Sequence, residues 1–178
     1  MLPIGPMMIE HRLIERMIKI MDSEAKRIQK EGALNLVLIE RTVDFIRTYA
    51  DRCHHGKEEG ILFRELKKKN LSREHEKTMG ELIEEHKLGR ELTGSLAKAK
   101  ERAAGGDLSQ AAGIVEIMRK LVEFYPRHIE KEDKRFFMPV MGYFTEPEKQ
   151  DMLKEGYEFD QKLIHAKYLE MVEEFENQ

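Results

Sequence analysis

Two stretches decide the reading of this 178-residue chain: Cys53-His54-His55-Gly56-Lys57-Glu58-Glu59 and His128-Ile129-Glu130-Lys131-Glu132-Asp133. In each, a glutamate follows a histidine by four residues, and an apolar pair comes next, Leu62-Phe63 and Phe136-Phe137. Each stretch also has a matching segment upstream. Glu10-His11-Arg12-Leu13 precedes the first, and Glu85-His86-Lys87-Leu88 precedes the second at a nearly equal distance. The chain thus reads as two helical hairpins of one design, related by pseudo-two-fold symmetry about a shared site.

Apolar spacing marks five helical segments. The first runs from about Met7 to Lys30, with Met7, His11, Ile14, Ile18, Met21, Ala25 and Ile28 on one stripe. Steps of three and four are those of a buried helix face. Gly32 suits the left-handed residue that ends a helix. The second segment runs from about Leu34 to Lys69. The third begins near Ser72 or Lys77 and stops at Gly105-Gly106. The fourth starts behind Asp107, a good N-cap, and reaches about Met138, with Pro126 expected to kink it or mark an irregular turn. Thr145-Glu146-Pro147-Glu148 opens a fifth that runs to the C-terminus. Short connections between long amphipathic helices predict an all-α, antiparallel up-down four-helix bundle with an additional C-terminal helix. The expected organisation is one domain over 1–178, with the bundle at about 5–140 and the extra helix at about 146–177.

Composition agrees. Charged residues make up 37% and aromatics 7%, with no Trp, which suits solvated helix faces better than a β-sandwich. The charges nearly balance, 31 basic against 34 acidic, and no basic block invites nucleic acid. No apolar run approaches the roughly 20 residues of a membrane span, and no signal peptide is evident at the start. One cysteine, Cys53, fits a reducing compartment. A cytoplasmic protein is expected.

The histidines stand where core residues should. In the second helix Ile46, Ala50, His54, Glu58 and Leu62 follow in steps of four. In the fourth, Tyr125, His128, Glu132 and Phe136 continue an apolar stripe, and in the third Met79, Ile83 and His86 do so. Four imidazoles and two carboxylates therefore point into one interior. Buried carboxylates need cationic partners, and few Lys or Arg interrupt these stripes, Arg90 being the main exception. A pair of divalent cations supplies the charge and satisfies the imidazole nitrogens. Mixed imidazole and carboxylate donors suit iron, zinc or manganese, and the lack of a Cys cluster argues against iron–sulfur.

At these residues the chain resembles the hemerythrin-like family, whose members bind cations through His-His-Glu motifs. The family pattern fits His11, His54 with Glu58, His86, and His128 with Glu132, and the resemblance covers about residues 5–140. It implies an up-down bundle with two carboxylate-bridged, non-haem irons held by those six residues. It also implies a small diatomic ligand or peroxide as partner, and oxygen carriage, oxygen or nitric-oxide sensing, or iron handling as roles. The respiratory members carry His-xxx-His in the third helix, where this chain has Arg90 as the second residue. The fifth histidine is thus missing, which disfavours reversible oxygen carriage and leaves an open position at each iron.

Other polar residues are set apart. The stripe of His55 runs back through Asp51 and Thr48, so His55 with Glu59 reads as a polar face rather than as ligands. Glu10, Glu59, Glu85 and Asp133 are candidates to hydrogen-bond the ligand imidazoles, or are surface charges. His165 is expected to have no metal role. A binding or sensing protein is favoured over two alternatives: a di-iron enzyme with peroxidase-like or nitric-oxide-reducing activity, and an iron-storage or iron-donor module. Ferritin-like storage uses Glu-xx-His pairs, and this chain has His-xxx-Glu.

Overall fold

The computed structural model describes residues 1–107, 109–160 and 163–177. It is helical, with no strand among the described residues. The long elements are α1 (Ile4–Glu31), α2 (36–66), α3 (Arg73–Ala104) and α4 (110–140). Two shorter ones follow, α5 (Glu146–Phe159) and α6 (Leu163–Glu176).

The helix ends follow local chemistry. Gly32 closes α1 at φ 71°, a conformation that costs glycine nothing. Asn35 caps α2 through Leu38 N–H, and Ser72 caps α3 through His75 N–H. Thr145 and Glu148 form a capping box with Pro147 in the first turn of α5. Asp107 accepts hydrogen bonds from Ser109 two residues on, so it makes a turn before α4 rather than serving as its N-cap. α4 runs through Pro126 without a break.

Two departures matter more. The expected single C-terminal helix is two, because the chain leaves helical geometry at Asp160, whose carboxylate is held by Lys57 Nζ at 2.6 Å. In addition, α2 is not α-helical throughout. Its turns widen to i→i+5 bonding over Ile46–His55 and again over Glu58–Phe63, as do those of α4 over Glu132–Phe136. Such wide turns concentrate at functional sites, and here all three adjoin a His-xxx-Glu motif.

α1 packs along α4, α4 along α3, and α3 against α2, while α6 lies on α1 and the wide turns of α2. Side chains pair α1 with α4 as Arg12–Asp133 at one end and Arg119–Gln29 at the other. α1 and α2 pair as His54–Glu10, and the backbone N–H of Asn35, the cap of α2, donates to Glu24. α2 and α3 pair as Arg90–Asp51 and Lys100–Glu40.

The apolar core falls into two clusters. One gathers Ile14, Met17, Ile46, Leu96, Met118 and Leu121, and the other Ile4, Met7, Leu62, Phe63, Leu82 and Phe136. Every long helix crosses from one cluster to the other at a polar residue: His11, His54 to Glu58, His86, and His128 to Glu132. A buried polar layer thus separates two oily halves. Burying each large apolar side chain contributes about 1.5–3 kcal/mol, so both halves press on this layer and hold its rotamers.

Candidate metal centre

His11, His54, Glu58, His86, His128 and Glu132 meet in that layer, each 0–2% exposed. The structure therefore brings together all six residues singled out in the sequence. His55 joins them at 2% exposure, where the stripe through Asp51 and Thr48 had put it on a polar face. The wide turn explains the difference. Each residue of an i→i+5 helix advances by a smaller angle than in an α-helix, so the neighbours His54 and His55 both face inward. The His55 ring stacks on that of His86, with centroids 3.9 Å apart.

The four histidines expected from the sequence are oriented in one way. His11 Nδ1 donates to Asp133 (2.8 Å), His54 Nδ1 to Glu10 (2.8 Å), His86 Nδ1 to Glu59 (2.7 Å) and His128 Nδ1 to Glu85 (2.8 Å). Each acceptor carboxylate is in turn paired with a cation: Asp133 with Arg12, Glu10 with Lys57, Glu59 with Arg90, and Glu85 with Lys131. The carboxylates hold the Nδ1–H of each ring and turn Nε2 inward, the orientation of a metal-binding histidine. Arg90 is thereby accounted for. It is 39% exposed, braces Glu59 and Asp51, and does not enter the layer.

The inward atoms have no hydrogen-bond partner. These are Nε2 of His11, His54, His86 and His128, both nitrogens of His55, and both oxygens of Glu58 and Glu132. Buried polar atoms are nearly always satisfied, and an orphan costs about 1–3 kcal/mol. Seven side chains orphaned around one spot fit a cation there, because a cation satisfies bare nitrogens and carboxylate oxygens together. They do not fit a neutral core.

The donor atoms sort into two groups. His11, His54, Glu58 and Glu132 lie within 4.8 Å of one another, and so do His55, Glu58, His86 and His128. Both carboxylates reach across. Glu58 has Oε1 3.4 Å from His54 Nε2 and Oε2 3.2 Å from His86 Nε2. Glu132 has Oε2 3.2 Å from His11 Nε2 and Oε1 3.3 Å from His128 Nε2. These contacts lack hydrogen-bond alignment, as expected of atoms aimed at a common third point.

Electrostatics divide the histidines. Burial lowers the affinity of His11 for a second proton, but Asp133, Glu132 and Glu58 outweigh it and raise its pKa to about 10. For His86, Glu132, Glu58 and Glu59 likewise overcome burial and raise it to about 11. His55 lies well below the usual histidine value because burial and the rings of His86, His128 and His54 oppose charging it. A neutral, unpartnered imidazole is ready to donate to a metal without losing a proton. Phe137 stacks on His11, Phe63 on His86 and Phe124 on His128, which lines the layer with dry walls.

A third group of donors, Cys53, Asp160 and His165, lies outside the layer. Cys53 Sγ is 3.1 Å from Asp160, and His165 reaches Asp160 at 3.2 Å and Tyr49 OH at 3.1 Å. Burial and Asp160 push the Cys53 thiol up to about 12, so it is not a thiolate. His165 is 36% exposed, and its polar contacts are Asp160, Tyr49 and, at 3.7 Å, Glu10, none of them among the seven residues of the layer.

No helix among the described residues is long and apolar enough to cross a membrane. Neither curated proteins nor solved structures yield a match to the chain. The family model described as the hemerythrin HHE cation binding domain does match, over residues 2–140. That span carries both His-xxx-Glu motifs and every donor of the buried layer, and the chain belongs to the hemerythrin HHE cation-binding family.

Proposed function

We propose that the layer holds two iron ions bridged by Glu58 and Glu132, in an antiparallel up-down four-helix bundle, and that the protein binds or senses a small diatomic ligand or peroxide. The observation that carries this reading is the set of orphaned inward donors, with Glu58 common to both donor groups and Glu132 reaching from His11 to His128. Seven donor side chains are too many for one tetrahedral ion. Non-haem iron of this kind supplies reversible electron transfer and a position for a small ligand.

The groups are unequal, which favours one side as the place for a small ligand over one open position at each iron. His11 and His54 offer two nitrogens on one side, while His55, His86 and His128 offer three on the other. Two imidazoles with carboxylate and free positions form the donor set of iron that takes small ligands, so the His11–His54 side is the place for one. Phe137, stacked on His11, keeps that side apolar and favours an uncharged diatomic molecule over a hydrated ion. His55, rather than a residue of α3, completes the three-nitrogen side. Cys53, buried and reduced, supports a cytoplasmic location.

Protein purified without added metal is expected to contain two irons per chain by elemental analysis, with an optical spectrum that azide or nitric oxide perturbs. One zinc per chain, or no metal in protein with all seven residues intact, would overturn the reading.

A further inference from the structure

Of the four histidine–carboxylate–cation chains, three end at the surface. Arg12 is 54% exposed, Arg90 39% and Lys131 24%. The chain from His54 does not end there. Its cation, Lys57, is 3% exposed and continues to both oxygens of Asp160, each 2.6 Å away. Asp160 is the residue that closes α5. It belongs to the stretch beyond residue 140, which the family match does not reach.

Several contacts make this junction specific. Lys57 Nζ sits between Glu10 and Asp160 and pairs with both. Asp160 also accepts from Cys53 and lies beside His165 of α6. Gly56, between the ligands His55 and Glu58, lies under the Phe159 ring so closely that a Cβ there would come within 2.9 Å of it. The wide turns of α2 thus have their inner side on the metal layer and their outer side on α5 and α6.

From this geometry we infer that α5 and α6 form a strap whose docking is coupled to metal occupancy through Asp160, Lys57, Glu10 and His54. The inference rests on the metal reading above. With metal on Nε2, the His54 ring is fixed and Nδ1–H holds Glu10 in place. Glu10 then holds Lys57, and Lys57 holds Asp160 at the end of α5. Without metal, the His54 ring has one fewer restraint, and each later link loosens. Coupling is reciprocal, so a docked strap also raises metal affinity. Asp160 and Lys57 are positioning residues in this scheme and touch no metal.

The test is amide hydrogen exchange of segments 146–159 and 163–176, in the full chain loaded with iron and again after chelation, with metal content measured in each sample. Metal removal is expected to speed exchange there by about 5- to 150-fold, the range that coupling between sites typically spans. In Asp160→Asn the strap should exchange fast with or without metal, and a chelator should extract iron faster than from wild type. Arg64→Ala serves as the control. It removes a surface pair that also ties α5 to α2, through Glu155, but has no route to His54, so the metal dependence should survive. Wild-type protein that holds two irons and shows the same strap exchange before and after chelation would overturn the coupling alone. Equal metal dependence in Asp160→Asn and wild type would also overturn it. Failure to bind metal at all would sink the metal reading and the coupling with it.

Discussion

His55→Phe separates a donor from a packing residue. In the metal-free protein both nitrogens of His55 are buried without partners, and an unsatisfied polar group costs about 1–3 kcal/mol. Phe removes that cost and can keep the stacked place on His86. Its larger ring costs about 1–3 kcal/mol in return if the site cannot expand. The two effects nearly cancel, so the metal-free Tm should move little. The loaded protein differs, because the variant strips one of three nitrogens from its group. Moving an outer partner of a ligand already weakens metal binding 10- to 100-fold, and a lost donor should cost at least the upper figure. A hundredfold loss is about 2.7 kcal/mol, or roughly 5–11 °C at about 2–4 °C per kcal/mol for a chain of this size. Thermal melts with chelator and with saturating iron measure both states. If the metal-induced rise in Tm matches wild type, His55 is no donor. If both states fall together, its role is packing alone.

Other outcomes follow from the same geometry. Metal uptake at pH 7 should release about two protons, because His11 (about 10) and His86 (about 11) are protonated in the metal-free protein and a metal needs bare Nε2. Both values are raised, so their contribution to metal-free stability is complete below the unfolded value of 6.5 and is lost as pH rises through 10 to 11. Metal affinity should rise with pH over the same interval, and proton-neutral uptake in a weakly buffered titration would contradict this. Glu58→Ala should abolish paired occupancy, whereas Glu59→Ala, which only frees the His86 ring, should lower affinity about 10- to 100-fold and still reach full stoichiometry at saturating metal. Equal losses by elemental analysis would mean the bridging assignment is wrong. Arg90→His should add no ligand, since position 90 stands outside the layer on Glu59 and Asp51. A new charge-transfer band or a changed metal count in that variant would refute this placement.

The set of buried faces is legible in the residue order alone. Periods of three and four are a property of the chain, and they put His11, His54, Glu58, His86, His128 and Glu132 on buried stripes before any packing is known. The duplicated spacing then brought two hairpins to one centre, and the caps at Gly32 and Thr145 are local chemistry that needs no tertiary contact. The buried position of His55 is not legible in its stripe, because its inward direction depends on i→i+5 turns. No local propensity announces such turns; they persist where packing and site geometry hold them, here between the buried polar layer and the C-terminal helices. The pairing of Glu10, Glu59, Glu85 and Asp133 with particular histidines was equally out of reach. Each pair joins residues 27 to 122 positions apart, and a surface charge and a ligand's partner look alike until helices are set side by side. The same holds at Asp160. Its sequence suggests a continuing helix, but Asp160 leaves helical geometry where a buried ammonium from α2 takes its carboxylate, an ion pair that only the tertiary structure reveals.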